Sequence, residues 1–86
     1  MKSLATAEFW RHFAALPIGV QQTARKAYHL WVRDPHHNSL RFKKVGRVWA
    51  VRVSRGYRAV GLLKDGTLYW FWIGRHDEYE RILASR

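Results

Sequence analysis

Asp65-Gly66 separates two runs, YRAVGLL and TLYWFWI, in which strand-forming residues dominate. An Asp-Gly pair in that setting is the strongest short-range signal for a two-residue β-hairpin, because both central positions need the positive φ that Gly and Asp tolerate. This one feature commits the second half of the chain to an antiparallel sheet. Upstream, after a turn at Gly46, VWAVRV alternates with period two, grouping Trp49, Val51 and Val53 on one side and Arg52 on the other. LRFKKV reads as a further strand with Leu40 and Phe42 on one side, and SRG as the turn before YRAVGLL. Four strands joined by short links are expected to pair antiparallel.

The first half has a different period. KSLA (residues 2–5) reads as a short first strand, and from Thr6 onward Phe9, Phe13 and Leu16 recur at helical spacing. Thr6 is placed to cap this helix, Glu8 lies in its first turn, and Pro17 ends it and opens the next. A second helix is predicted over 18–33, with Val20, Ala24, Ala27, Tyr28 and Trp31 on one face; Asp34-Pro35 breaks it. DPHHNS is a polar connection, and HDEYERILAS a short terminal helix in which Asp77 and Glu80 are spaced as in a capping box. The expected architecture is α+β: an N-terminal helical hairpin on one face of a curved antiparallel sheet, then a short C-terminal helix, all one domain over 1–86.

Charge narrows the partners. Sixteen Lys and Arg against six Asp and Glu give a net charge of +10, a field suited to a polyanion, an acidic protein or an anionic surface. From Arg41 to His76 the bases are Arg41, Lys43, Lys44, Arg47, Arg52, Arg55, Arg58, Lys64 and Arg75, and Asp65 is the one acid. Aromatics interleave with them, as on surfaces where bases stack. There is no Cys, no apolar run of about 20 residues and no signal-like N-terminus. The expectation is a cytoplasmic protein with no membrane partner.

The stretch YWFWIGRHDEY ends a strand that is apolar on both faces in a group of ionisable residues. Strict alternation sends Tyr69, Phe71 and Ile73 one way and Leu68, Trp70 and Trp72 the other. The helical pair covers one face; the terminal helix, or a partner, must cover the second. His76 and Tyr79, three apart at a helix start, share a side and both transfer protons. No metal-ligand spacing joins His12, His29, His36 and His37, and no Gly-rich phosphate loop, Ser-centred nucleophile or carboxylate pair occurs. A reaction that needs neither metal nor cofactor fits these residues: RNA cleavage by its own 2′-OH, with cations holding the phosphate and His or Tyr moving protons.

The segments LPIGVQQTARKAYHLWVRDPHHNSLRFKKV, WAVRVSRGYRAVGLL and WFWIGRHDEYERIL resemble the RelE/ParE superfamily of bacterial toxins from type II toxin–antitoxin modules, over nearly the whole chain. The most specific parts are R-V-S-R-G-Y-R, similar to the family's R-x-G-x-Y-R hairpin, and I-G-x-H-x-x-Y. The resemblance implies a helical hairpin on a curved antiparallel sheet. It also implies an acidic, amphipathic antitoxin as partner. In the RelE-like branch, the one favoured here, the activity is metal-independent cleavage of mRNA on the ribosome, with contact to rRNA.

Carried over residue by residue, Arg58 would bind the scissile phosphate and Arg52 support it. His76 and Tyr79 would serve in acid–base work or stacking, while Lys43 and Lys44 face the RNA. Arg41, Arg47, Arg55 and Arg75 complete the expected nucleic-acid-binding set. The sequence departs from the family pattern in reading Gly74-Arg75-His76 where some members read Gly-His-Arg. It also places Arg55, not Gly, two residues before Tyr57, which offsets Arg52 by one. The alternatives are a ParE-like, non-enzymatic inhibitor of DNA gyrase and a non-toxic binding module.

Overall fold

Thr6 caps the first helix as its position predicts. In the computed structural model, which describes residues 1–84, the Phe9 N–H donates to Thr6 Oγ1 at 3.1 Å. The elements run β1 (Lys2–Ala5), α1 (Ala7–Ala14), α2 (Ile18–Arg33), a 3₁₀ turn (Asn38–Leu40), β2 (Lys43–Val45), β3 (Val48–Ser54), β4 (Tyr57–Lys64), β5 (Thr67–Arg75) and α3 (His76–Ala84). Pro17 opens α2 without a side-chain cap, and Gln21 instead ties the two helices, its Nε2 donating to the Phe13 and Leu16 carbonyls at 3.2 and 3.1 Å. No helix among the described residues is long and apolar enough to cross a membrane.

The sheet has the order β1-β5-β4-β3-β2. β2 to β5 form the expected antiparallel meander, and Asp65 and Gly66 both take the positive φ (51° and 81°) that their hairpin requires. β1 corrects the all-antiparallel expectation: it lies parallel to β5, Lys2 opposite Thr67 and Ala5 opposite Trp70, so the sheet is mixed. The link from β1 to its partner runs from Thr6 to Gly66, and a connection that long, carrying helices, permits a parallel pair where a short one cannot. The expected strand over LRFKKV shortens to three residues, because Leu40 closes the 3₁₀ turn and Arg41 adopts a left-handed φ of 46°. What remains is a short edge strand holding Lys43 and Lys44, a form that resists pairing with other chains.

β5 does not alternate strictly. The register passes from Val60–Trp72 to Gly61–Trp70, so it shifts by one residue at Phe71. This bulge changes the phase of the strand. Leu68, Trp70 and Ile73 therefore enter the core beneath the helices, with Phe13, Ala24, Trp31, Leu40, Phe42, Val51, Val53 and Ala59. Trp72 enters a second core with Val48, Ala50, Val60 and Tyr79. The simple alternation had put Trp72 with Trp70 and Ile73 on the opposite side, and the bulge reverses both. α3 closes the second face, as one sequence reading held, with Tyr79 buried and Ile82 and Leu83 packed beside it. α1 packs chiefly along β5 and α2 on β3. Between them and β1 lies an apolar cleft of about 410 Å³.

Candidate nucleic-acid interface

Arg58 is the centre of the site. It stands directly opposite Arg52 on β3 and Gly74 on β5, so all three positions share one face of the sheet, the face on which α3 lies. One terminal nitrogen of Arg58, Nη1, donates to the carbonyls of Ser54 (2.8 Å), Tyr57 (2.9 Å) and Arg55 (3.4 Å). The turn between β3 and β4 thus grips one end of the guanidinium. Nε and Nη2 make no hydrogen bond among the described residues, which leaves one edge of the fork for an anion. Burial first, and then the neighbouring Arg52 and Arg41 charges, pull the Arg58 pKa below its usual value, with Tyr79 opposing them. An arginine remains charged regardless, so the consequence is a concentrated positive field.

Tyr79 reaches this field from α3. Its residue is 7% exposed, and burial pushes the phenol pKa up, Arg58 pulling it down in part and Glu80 adding to the rise. At neutral pH the hydroxyl therefore keeps its proton and acts as a donor. His76 begins α3, its ring 5.9 Å from that of Tyr79 and its Nε2 3.4 Å from Glu80 Oε1. The imidazole is 44% exposed and so open to a substrate. Its backbone N–H donates to the Gly56 carbonyl at 2.8 Å, which fixes the start of α3 against the β3–β4 turn. The expected capping box does not form: Asp77 Oδ1 accepts from the Glu78 N–H at 3.1 Å, while Glu80 turns to His76.

The pH dependence follows from the sign of the Tyr79 shift. A raised phenol pKa means that the folded state holds its proton more tightly than the unfolded chain does. That contribution is complete below the unfolded value of about 10 and is lost as pH rises through the folded one. Stability is expected to fall in this alkaline range, and Tyr79→Phe to flatten the fall. Urea melts of both proteins from pH 8 to 11 measure it, and parallel curves would contradict it.

Sequence reasoning missed Trp72 and Gly74. A Cβ built on Gly74 would lie 2.6 Å from Trp72 Cζ2, so the indole fills the space over the glycine that stands opposite Arg58. The His12 ring of α1 is tilted beside the indole, ring centroids 6.2 Å apart. No local signal announces this, because Trp72 faces the site through the bulge at Phe71. Gly74→Ala is expected to displace the indole and cost about 1–3 kcal/mol. A thermal melt reads the loss, and an unchanged midpoint would show that the ring moves freely.

The remaining expected residues divide. Lys43 is opposite Ala50 and shares the face of Arg52, whereas Lys44 is opposite Trp49 and projects to the helix side. Arg41 is near enough for its charge to act on Arg58. Arg55 is exposed in the β3–β4 turn, and Arg75 is exposed at the end of β5, 3.8 Å from Asp77. Arg47 sits in the β2–β3 turn, at the other end of β3 and on the order of 20 Å away. The three ion pairs among the described residues all involve acids of α3, so Arg41, Lys43, Lys44, Arg47, Arg52, Arg55 and Arg58 have no acidic partner there. No cluster of three or more His, Cys, Asp or Glu forms among those residues.

No protein-family model matches the sequence, and no curated protein matches it. Solved structures do. The RelE–RelB toxin–antitoxin complex of Methanococcus jannaschii superposes with a TM-score of 0.71 at 11% identity, covering 92% of this chain and 96% of that one. The YoeB/ParE toxin of Agrobacterium tumefaciens gives 0.66 at 15% identity, covering 88% and 99%. The isolated Escherichia coli RelE toxin gives 0.62 at 13%, covering 99% and 98%. The chain thus has the fold of the RelE/ParE toxins over most of its length; at these identities the likeness defines the fold, without separating the RelE from the ParE branch.

Proposed function

We propose that the protein is the toxin of a type II toxin–antitoxin module and acts as a metal-independent, ribosome-dependent mRNA endonuclease. The observation that carries this reading is the convergence of Arg58, Arg52, Tyr79 and His76 at one end of the sheet, with the Arg58 fork held by three carbonyls. In the proposed reaction His76 takes the proton of a ribose 2′-OH, whose oxygen attacks the adjacent phosphorus. The free edge of Arg58, backed by Arg52, stabilises the charge that builds on the phosphoryl oxygens. The protonated Tyr79 gives its proton to the departing 5′-oxygen. The P–O5′ bond breaks, leaving a 2′,3′-cyclic phosphate and a 5′-hydroxyl, and no metal or cofactor enters. A gyrase inhibitor needs no proton-transfer pair beside its arginines, and this pair favours RNA.

The partners follow from the same surfaces. Lys43, Arg41, Arg55 and Arg75 would carry mRNA and rRNA phosphates around the site. The apolar cleft between α1, α2 and β1, where Leu4, Trp10 and Tyr28 are exposed and Arg25 and His29 line the wall, suits the apolar side chains of an acidic, amphipathic antitoxin segment. Such targets lie in the cytoplasm. Primer extension on a defined mRNA, carried by translating ribosomes or free in solution, tests the proposal. Cuts confined to the ribosome-bound message support it. Intact RNA in both tubes, with inhibited supercoiling by purified gyrase, would replace it by the ParE-like reading.

A further inference from the structure

β2 pairs with β3 only across Val48 to Ala50. Beyond that point the outer edge of β3 has no strand beside it among the described residues, and a bulge at Val53 bends it further. α2 and the 3₁₀ turn stand off from this edge and leave an open cleft of about 420 Å³. Its polar lining is Lys26 and Thr23 of α2, Ser39 of the turn, and Arg52 and Ser54 of β3. No acid lines it, and neither Lys26 nor Arg52 has an ion pair among the described residues. The Thr23 hydroxyl is engaged with the Gly19 carbonyl at 3.0 Å, and Ser39 Oγ is 2.8 Å from His37 Nδ1. The charge for a ligand therefore comes from Lys26 and Arg52, with Ser54 as an added hydroxyl.

Arg52 belongs to two places at once. It lines this cleft and also faces Arg58 directly across the strands. Like charges in that relation repel, and no acid among the described residues pairs with either to relieve it. Anions on both sides of Arg52 would.

We propose that this cleft is a second phosphate subsite, in which Lys26 and Arg52 take the phosphodiester next to the one held at Arg58, so that a single RNA strand turns around the free edge of β3 toward α2. This rests on the reading of Arg58 as the phosphate-binding residue, and names Lys26, outside the set that the sequence singled out, as a positioning residue for that strand.

A single-stranded RNA oligonucleotide, fully 2′-O-methylated so that it cannot be cut, is the probe. Its binding is measured over a salt series to the parent protein, Arg58→Ala, Lys26→Ala and Lys64→Ala. Lys64 removes the same charge at the far hairpin, next to Asp65. Losing one phosphate contact to a single strand lowers the log–log salt slope by about 0.7, or about fivefold in affinity at 0.1 M salt. Lys26→Ala is expected to show that loss and Lys64→Ala to bind like the parent. Both lysines are exposed, so the fold is kept. If Lys26→Ala matches Lys64→Ala while Arg58→Ala binds more weakly, the subsite is overturned and the Arg58 reading stands. If Arg58→Ala binds like the parent, both fall.

Discussion

Arg58→Ala is expected to slow cleavage of ribosome-bound mRNA by about 10²- to 10³-fold, the loss that follows when one preorganised donor is removed from a developing oxyanion. The size of the effect rests on how Arg58 is held. Its Nη1 is already spent on the Ser54, Tyr57 and Arg55 carbonyls, so the free edge is fixed before substrate arrives and no ordering is needed in the transition state. Arg58→Lys keeps the charge, but an ammonium on a flexible stem lacks the planar fork that serves turn and phosphate together. It is expected to fall between the parent and alanine. Single-turnover primer extension gives the rates, and a thermal melt separates chemistry from folding. An alanine variant that is fully folded and cuts as fast as the parent would remove Arg58 from the reaction.

Trp31→Ala is expected to cost about 3–5 kcal/mol. Trp31 is 1% exposed and meets Trp70 and Phe42 edge-to-face, with ring centroids 5.4 and 5.6 Å away. No small side chain refills that space. A domain of this size has roughly 5–15 kcal/mol in total and belongs near the lower end. The melting midpoint should therefore drop by about 15 °C or more, or cooperative unfolding should vanish. One term works against the full loss: the indole N–H groups of Trp31 and Trp70 are buried without a conventional acceptor among the described residues. In an edge-to-face cluster the face of a neighbouring ring is the partner on hand, a weak one. A midpoint within a few degrees of the parent would show that this cluster does not anchor the helices.

Much of this fold is legible because its signals are local. Thr6, Pro17, Asp34-Pro35 and Asp65-Gly66 each fix φ or satisfy a donor within a few residues, and each marks the boundary that it predicts. The parallel placement of β1 is set by contacts with β5 and has no local marker. The bulge at Phe71 escapes for a related reason: TLYWFWI is apolar at every position after Thr67, so no polar residue shows where the alternation slips. The site shares both fates. Arg58, Arg52, His76 and Tyr79 stand out by residue type and motif, whereas Trp72 and Gly74 join them only through the bulge. Lys26 is invisible for another cause, because on α2 it reads as one more exposed base until β3 is seen to lose its neighbour.

The pairing of β1 with β5 has a consequence for how the protein is made. A ribosome delivers Lys2 to Ala5 well before Thr67 to Trp70, with α1, α2 and three strands in between. The first strand must wait, unpartnered, while the helices and the meander emerge, and contacts that distant in sequence form slowly. The sheet edge, the apolar cleft that leans on β1, and the face that ends in Arg75 and His76 are therefore completed together, once β5 has emerged. A nascent chain of this kind has no finished sheet edge, cleft or α3 face until β5 has left the ribosome.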